Sequence, residues 1–75
     1  MARLPQITAK ELIKILQKAG FKVMRQEGSH VFLKNDSGRT TVVPNHPGEK
    51  LDRGLLNKIL KKDVQISREE FEKLL

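Results

Sequence analysis

A chain of 75 residues has room for one domain with one small core. Fifteen lysines and arginines against nine aspartates and glutamates leave a net charge of +6, a field that draws in polyanions and speeds encounter with them, although a merely solvated basic surface would look the same. The lack of cysteine excludes disulfides and thiolate metal sites, no apolar run approaches the roughly 20 residues that span a bilayer, and three phenylalanines without tyrosine or tryptophan argue against an aromatic platform for single strands. Met1-Ala2-Arg3-Leu4-Pro5 carries no apolar signal-peptide core, so a soluble, cytoplasmic protein is expected.

Thr8-Ala9-Lys10-Glu11 has the form of a capping box, in which the threonine caps the helix and the glutamate reaches back. Apolar residues at Ala9, Leu12, Ile13, Leu16 and Ala19 keep a helical stripe, and Gly20 stands where a left-handed C-terminal cap belongs. The spacing predicts a helix over residues 9–19, with Lys10, Lys14 and Lys18 on a solvated outer face.

Phe21-Lys22-Val23-Met24-Arg25-Gln26 alternates and contains β-formers, which predicts a first strand. Glu27-Gly28-Ser29 turns the chain, glycine reaching backbone angles that other residues avoid. Residues 30–35 form a second strand, Asp36-Ser37-Gly38 a second turn, and residues 39–43 a third strand rich in β-branched Thr40, Thr41, Val42 and Val43. Turns this short imply an antiparallel meander. Period two groups His30 with Phe32 and Lys34, and Val31 with Leu33. Both sets contain apolar residues, so alternation alone leaves the core face open. Placing Phe32 inward puts His30 at the rim between sheet and helices, and that is the arrangement expected.

Pro44-Asn45-His46-Pro47-Gly48-Glu49-Lys50 is a loop broken twice by proline. Asp52 has N-cap chemistry, with Leu51 and Leu56 as a hydrophobic staple, and a second helix is predicted over residues 53–62, burying Leu55, Leu56, Ile59 and Leu60. Lys58, Lys61 and Lys62 suit the negative pole of that helix, a role that needs no ligand. Ser67-Arg68-Glu69-Glu70 is a second capping box, opening a short helix through Phe71, Leu74 and Leu75 with Ile66 as staple partner. The whole is expected to be one α+β domain over residues 1–75, α-β-β-β-α with a short C-terminal helix. Its helices pack on one face of an antiparallel three-stranded sheet and leave the other open. This layout matches the double-stranded-RNA-binding-domain type of fold.

Four stretches then stand out together: Lys18-Ala19-Gly20-Phe21, Gly28-Ser29-His30 before an apolar strand, Val43-Pro44-Asn45-His46, and Gly54-Leu55-Leu56-Asn57-Lys58-Ile59-Leu60-Lys61. Their order and spacing cover nearly the whole chain, which resembles the HicA (YcfA-like) family of toxin ribonucleases. The resemblance implies a double-stranded-RNA-binding-like fold and the toxin of a type II toxin–antitoxin system. It implies ribosome-independent cleavage of messenger RNA and neutralisation by a HicB-type antitoxin; separately, the residues need no metal or other cofactor for such cleavage, and none is expected. It carries the family's catalytic histidine onto His30 and its glycine onto Gly28. His46 matches a frequent family position, and no catalytic role is carried onto it. True double-stranded-RNA binders open the second helix with a lysine cluster. Here that position reads Asp52-Arg53-Gly54, a departure that favours action on single-stranded message.

The residues are sufficient for that chemistry. RNA contains its own nucleophile, the 2′-hydroxyl. An imidazole titrates at about pH 6.5, and general acid–base help contributes about 10² to 10⁴ in rate. A lysine or arginine beside the scissile phosphate stabilises its extra charge, and Lys34, Arg39 and Arg25 are the candidates, Lys34 sharing the parity of His30. Each singled-out residue also has a structural reading. His30 could bond a neighbouring carbonyl. His46, between two prolines, could fix its loop or contact substrate. Ser29, with no triad in sequence, shapes the turn or bonds phosphate. Two histidines and scattered carboxylates show no metal-ligand spacing. The alternative functions are a non-catalytic basic RNA-binding module and a structural partner whose basic face docks an acidic companion.

Overall fold

The structure is a computed structural model that describes residues 6–75; the reading of residues 1–5 as free of a signal-peptide core lies outside them. Helix α1 (Ala9–Lys18) starts at the expected capping box. Thr8 Oγ1 accepts from the Glu11 N–H at 3.2 Å, and the Glu11 carboxylate accepts from the Thr8 N–H at 2.9 Å. These bonds favour the charged form, so Thr8 holds the Glu11 carboxyl below its usual value. The helix ends in a Schellman motif: Gly20 takes φ +99°, and the N–H groups of Phe21 and Gly20 return to the carbonyls of Leu16 and Gln17. Ile15 joins Ala9, Leu12 and Leu16 in the core, while Ile13 and Ala19 pack at its edge.

Phe21 is buried just before strand β1 (Lys22–Glu27), which pairs antiparallel with β2 (His30–Lys34), itself paired with β3 (Thr40–Pro44), in the order β1-β2-β3. Both connections are hairpin turns with a glycine in the left-handed region, Gly28 at φ +58° and Gly38 at φ +87°. The Arg39 N–H also donates to Asn35 Oδ1 at 2.8 Å, closing the second turn.

Register decides the faces. Val31 lies opposite Val43 and Leu33 opposite Thr41, and all four are buried. Phe32 lies opposite Val42 on the other face and is only half-buried, so the expectation that Phe32 points inward is overturned. His30 moves with it: it stands exposed on the open face, not at the rim between sheet and helices. The reason is the company that Phe32 keeps. Turning it inward would carry His30 and Lys34 into the core as well, and an unpaired buried lysine is far costlier than a half-exposed phenylalanine. In β1 the register shifts between Val23 and Arg25, a bulge at Met24 that leaves Val23 opposite Leu33 and brings Arg25 opposite Phe32.

Helix α2 (Arg53–Lys58) is capped by Asp52, whose Oδ2 accepts from the Leu55 N–H at 3.2 Å. Regular α-helix does not run to residue 62: Ile59–Asp63 form a π-helical turn, with the Val64 N–H bonded to the Ile59 carbonyl at 2.9 Å. A continued 3.6-residue repeat would put Asp63, seven residues after Leu56, on the inner face. The wider turn instead seats Val64 in the core at 1 % exposure. Asp63 slides to the flank, where its Oδ2 accepts from the hydroxyl of buried Thr41 at 2.9 Å. Gln65 then reverses the chain at φ +54°. Helix α3 (Arg68–Leu74), capped by Ser67, closes the layer with fully buried Phe71. The helices and the inner sheet face enclose a single apolar cluster, giving the α+β, double-stranded-RNA-binding-domain-like arrangement expected.

Candidate functional site

His30 is the first residue of β2, directly after the Gly28-Ser29 turn. The next residue, Val31, is 3 % exposed and anchors the strand in the core, so the backbone beneath the imidazole is fixed while the ring faces solvent. Gly28 is required by its backbone: a Cβ there would meet nothing, yet φ +58° strains any L side chain by about 1–2 kcal/mol. The Ser29 carbonyl accepts from the Asn45 N–H at 2.6 Å, which ties this turn to the loop that follows β3. The ladder places Pro44 opposite His30, and His46 follows two residues later in that loop, so both histidines belong to the same end of the sheet. His46 is exposed and lines a hollow of about 370 Å³ with Thr8, Lys10 and Gly48, beside the start of α1.

The cationic candidates separate. Arg25 lies on the open face, its guanidinium 4.3 Å from the centroid of the Phe32 ring and its Nε 2.6 Å from Glu27 Oε2. Lys34 is exposed on the same face at the far end of β2, directly opposite Lys22. Lys34 is four residues along β2 from His30, about 13 Å, so the two side chains stand at opposite ends of the strand. Arg39 leaves the site: its guanidinium donates to the Val64 carbonyl at 3.4 Å and so braces the turn after the π-helical segment.

One residue escaped the sequence reading. Glu27 lies directly across the ladder from His30 on the open face. The signal was present, since a two-residue turn makes its flanking residues cross-strand neighbours. Glu27 pairs with Arg25 and is the only anionic side chain beside Lys22, Arg25, His30 and Lys34 on β1 and β2. The arrangement can draw a polyanion across the open face and present one imidazole over its backbone at the turn end of β2. Among the described residues, no group of three or more His, Asp or Glu is placed to hold a metal ion, and no helix is long and apolar enough to cross a membrane.

A family model described as HicA toxin of bacterial toxin-antitoxin matches residues 9–64. The match takes in α1, the whole sheet, α2 and the π-helical turn, and with them Gly28, His30 and His46. No curated protein matches the chain.

Proposed function

The chain belongs to the HicA toxin family and is the toxin side of a bacterial toxin–antitoxin pair; from that premise we propose that it is an endoribonuclease acting on single-stranded messenger RNA, with His30 as general acid–base. The observation that carries this reading is an exposed imidazole on a core-anchored strand, facing outward among Lys22, Arg25 and Lys34. In the proposed step the imidazole accepts the proton of a ribose 2′-hydroxyl as that oxygen attacks the adjacent phosphorus. The bond from phosphorus to the 5′-oxygen breaks, the departing oxygen takes up a proton from solvent water, and the imidazolium returns its proton to solvent. The products are a 2′,3′-cyclic phosphate and a 5′-hydroxyl, with no redox change and no cofactor consumed. Cations along the face hold the backbone and offset the charge that builds on the phosphate.

The test is substitution at the nucleophile. RNA carrying a single 2′-deoxy nucleotide at the cut position is expected to resist cleavage there while its other sites are cut. Equal cutting of the deoxy position would mean that water attacks and would remove the assigned role of His30.

The proposed partner is a HicB-type antitoxin that silences the enzyme by covering the open face. Diethyl pyrocarbonate is then expected to modify His30 in the free toxin and to spare it in the complex. Equal modification in both would put the antitoxin elsewhere.

A further inference from the structure

The cut site has a second constraint beside it. Arg25 is not arranged as a phosphate clamp. Its guanidinium lies over the Phe32 ring at 4.3 Å, and Glu27 holds it by Nε alone at 2.6 Å, so its two terminal nitrogens are not engaged by that pair. A flat, delocalised cation is thus backed by an aromatic ring and pinned at its edge by a carboxylate. The side chain remains 62 % exposed. As an exposed ion pair Arg25–Glu27 contributes little to stability, so its main consequence is geometrical. Around it Met24, Phe32, Lys34, Thr40 and Val42 line a shallow depression of about 450 Å³. Met24 and Val42 keep apolar surface open to solvent there, at 61 % and 38 % exposure. Lys22 and Lys34 oppose each other at its margin, an uncompensated like-charge pair that an anion would relieve.

We infer that Arg25 is a base-stacking plate: an unpaired nucleobase of the RNA lies flat on the outer face of its guanidinium, with Phe32 beneath. This rests on the reading of the chain as an RNA-cleaving toxin and adds to it the group that selects where the strand is held. Guanidinium planes, like aromatic rings, stack splayed bases of single-stranded RNA, and stacking tolerates every base because each has a π-face. Arg25 lies two residues along β1 from Glu27, the cross-strand neighbour of His30, a separation of roughly 7 Å. The stacked base therefore belongs to a nucleotide next to the scissile phosphate. The apolar surround of Met24 and Val42 receives the base edge, and Lys22 and Lys34 meet the next phosphate along. The chain needs no row of aromatic residues for this, because one phenylalanine supports one arginine.

The experiment measures binding without turnover, using the full chain carrying His30→Ala and a fluorescein-labelled single-stranded oligoribonucleotide. One abasic nucleotide is walked along the oligonucleotide. One position is expected to weaken binding roughly tenfold when its base is removed. Adding Arg25→Lys, which keeps the charge and removes the plane, should abolish that sensitivity while leaving the salt dependence of binding unchanged. Glu27→Gln, which releases the edge of the plate, should reduce the sensitivity to base removal, while the loss of a negative charge tightens binding of intact and abasic RNA alike. Binding that is indifferent to abasic position, or sensitivity that survives Arg25→Lys, overturns the inference. Cleavage by the parent chain, assayed separately, tests the enzyme reading. Cleavage with no base-sensitive position defeats the stacking plate alone, and base-sensitive binding without cleavage defeats the enzyme reading alone.

Discussion

The two faces of the sheet have opposite chemistry, and β2 takes part in both. Inward stand Val31, Leu33, Thr41 and Val43, each at 3 % exposure or less. Outward stand His30, Phe32 and Lys34, with Arg25 and Glu27 alongside. Neighbouring residues of β2 thus belong to different problems: one set holds the fold, and the next presents charge and an imidazole to solvent. Along β2 the rigid face gives the open face its precision, because His30, Phe32 and Lys34 are each flanked in sequence by a buried residue. The open face is left free of stabilising duty and can be specialised for a ligand.

Substitutions along β2 should therefore split by parity. Leu33→Ala removes a side chain with 1 % exposure and should cost about 2–5 kcal/mol, enough to unfold much of so small a domain. Urea denaturation measures it, and a loss under 1 kcal/mol would mean that the inner face is not the core. A smaller change of opposite sign is expected behind that core. Gln65 holds φ +54°, a conformation that strains any residue with a Cβ, so Gln65→Gly should stabilise by about 1 kcal/mol. An unchanged or lowered denaturation midpoint would show that the Gln65 side chain contributes more than its backbone strain costs. The smallest change in stability belongs to Lys34→Ala, next to Leu33 on the opposite face, which should stay within about 0.5 kcal/mol. Its effect should appear instead in RNA binding, as a salt slope flatter by about 1. A loss of stability with an unaltered slope would erase the division between the faces.

Much of this was legible in the sequence where local chemistry acts alone. The Thr8–Glu11 box and Gly20 bracket α1, and Gly28 and Gly38 mark the two hairpins, because caps and tight turns depend on residues close in sequence. The core face of β2 was less plain, since both parities carry apolar residues. The deciding signal was Lys34, which shares the face of Phe32 and resists burial. The end of the second helix was not legible, because the π-helical turn answers a tertiary demand, seating Val64 and sparing Asp63, that periodicity cannot express. For the candidate site, the turn that exposes His30 was readable. The departure of Arg39 towards Val64 and the Glu27–Arg25–Phe32 stack depend on which strands pair and on the bulge at Met24.

The central claim is that the open face does chemistry through one imidazole. The most direct measurement incubates purified protein with labelled single-stranded RNA in EDTA and compares the parent chain with His30→Ala. The parent should cleave, and the variant, with an unchanged denaturation midpoint, should be slower by about 10² to 10⁴. A folded His30→Ala protein that cleaves at the parental rate would contradict the account.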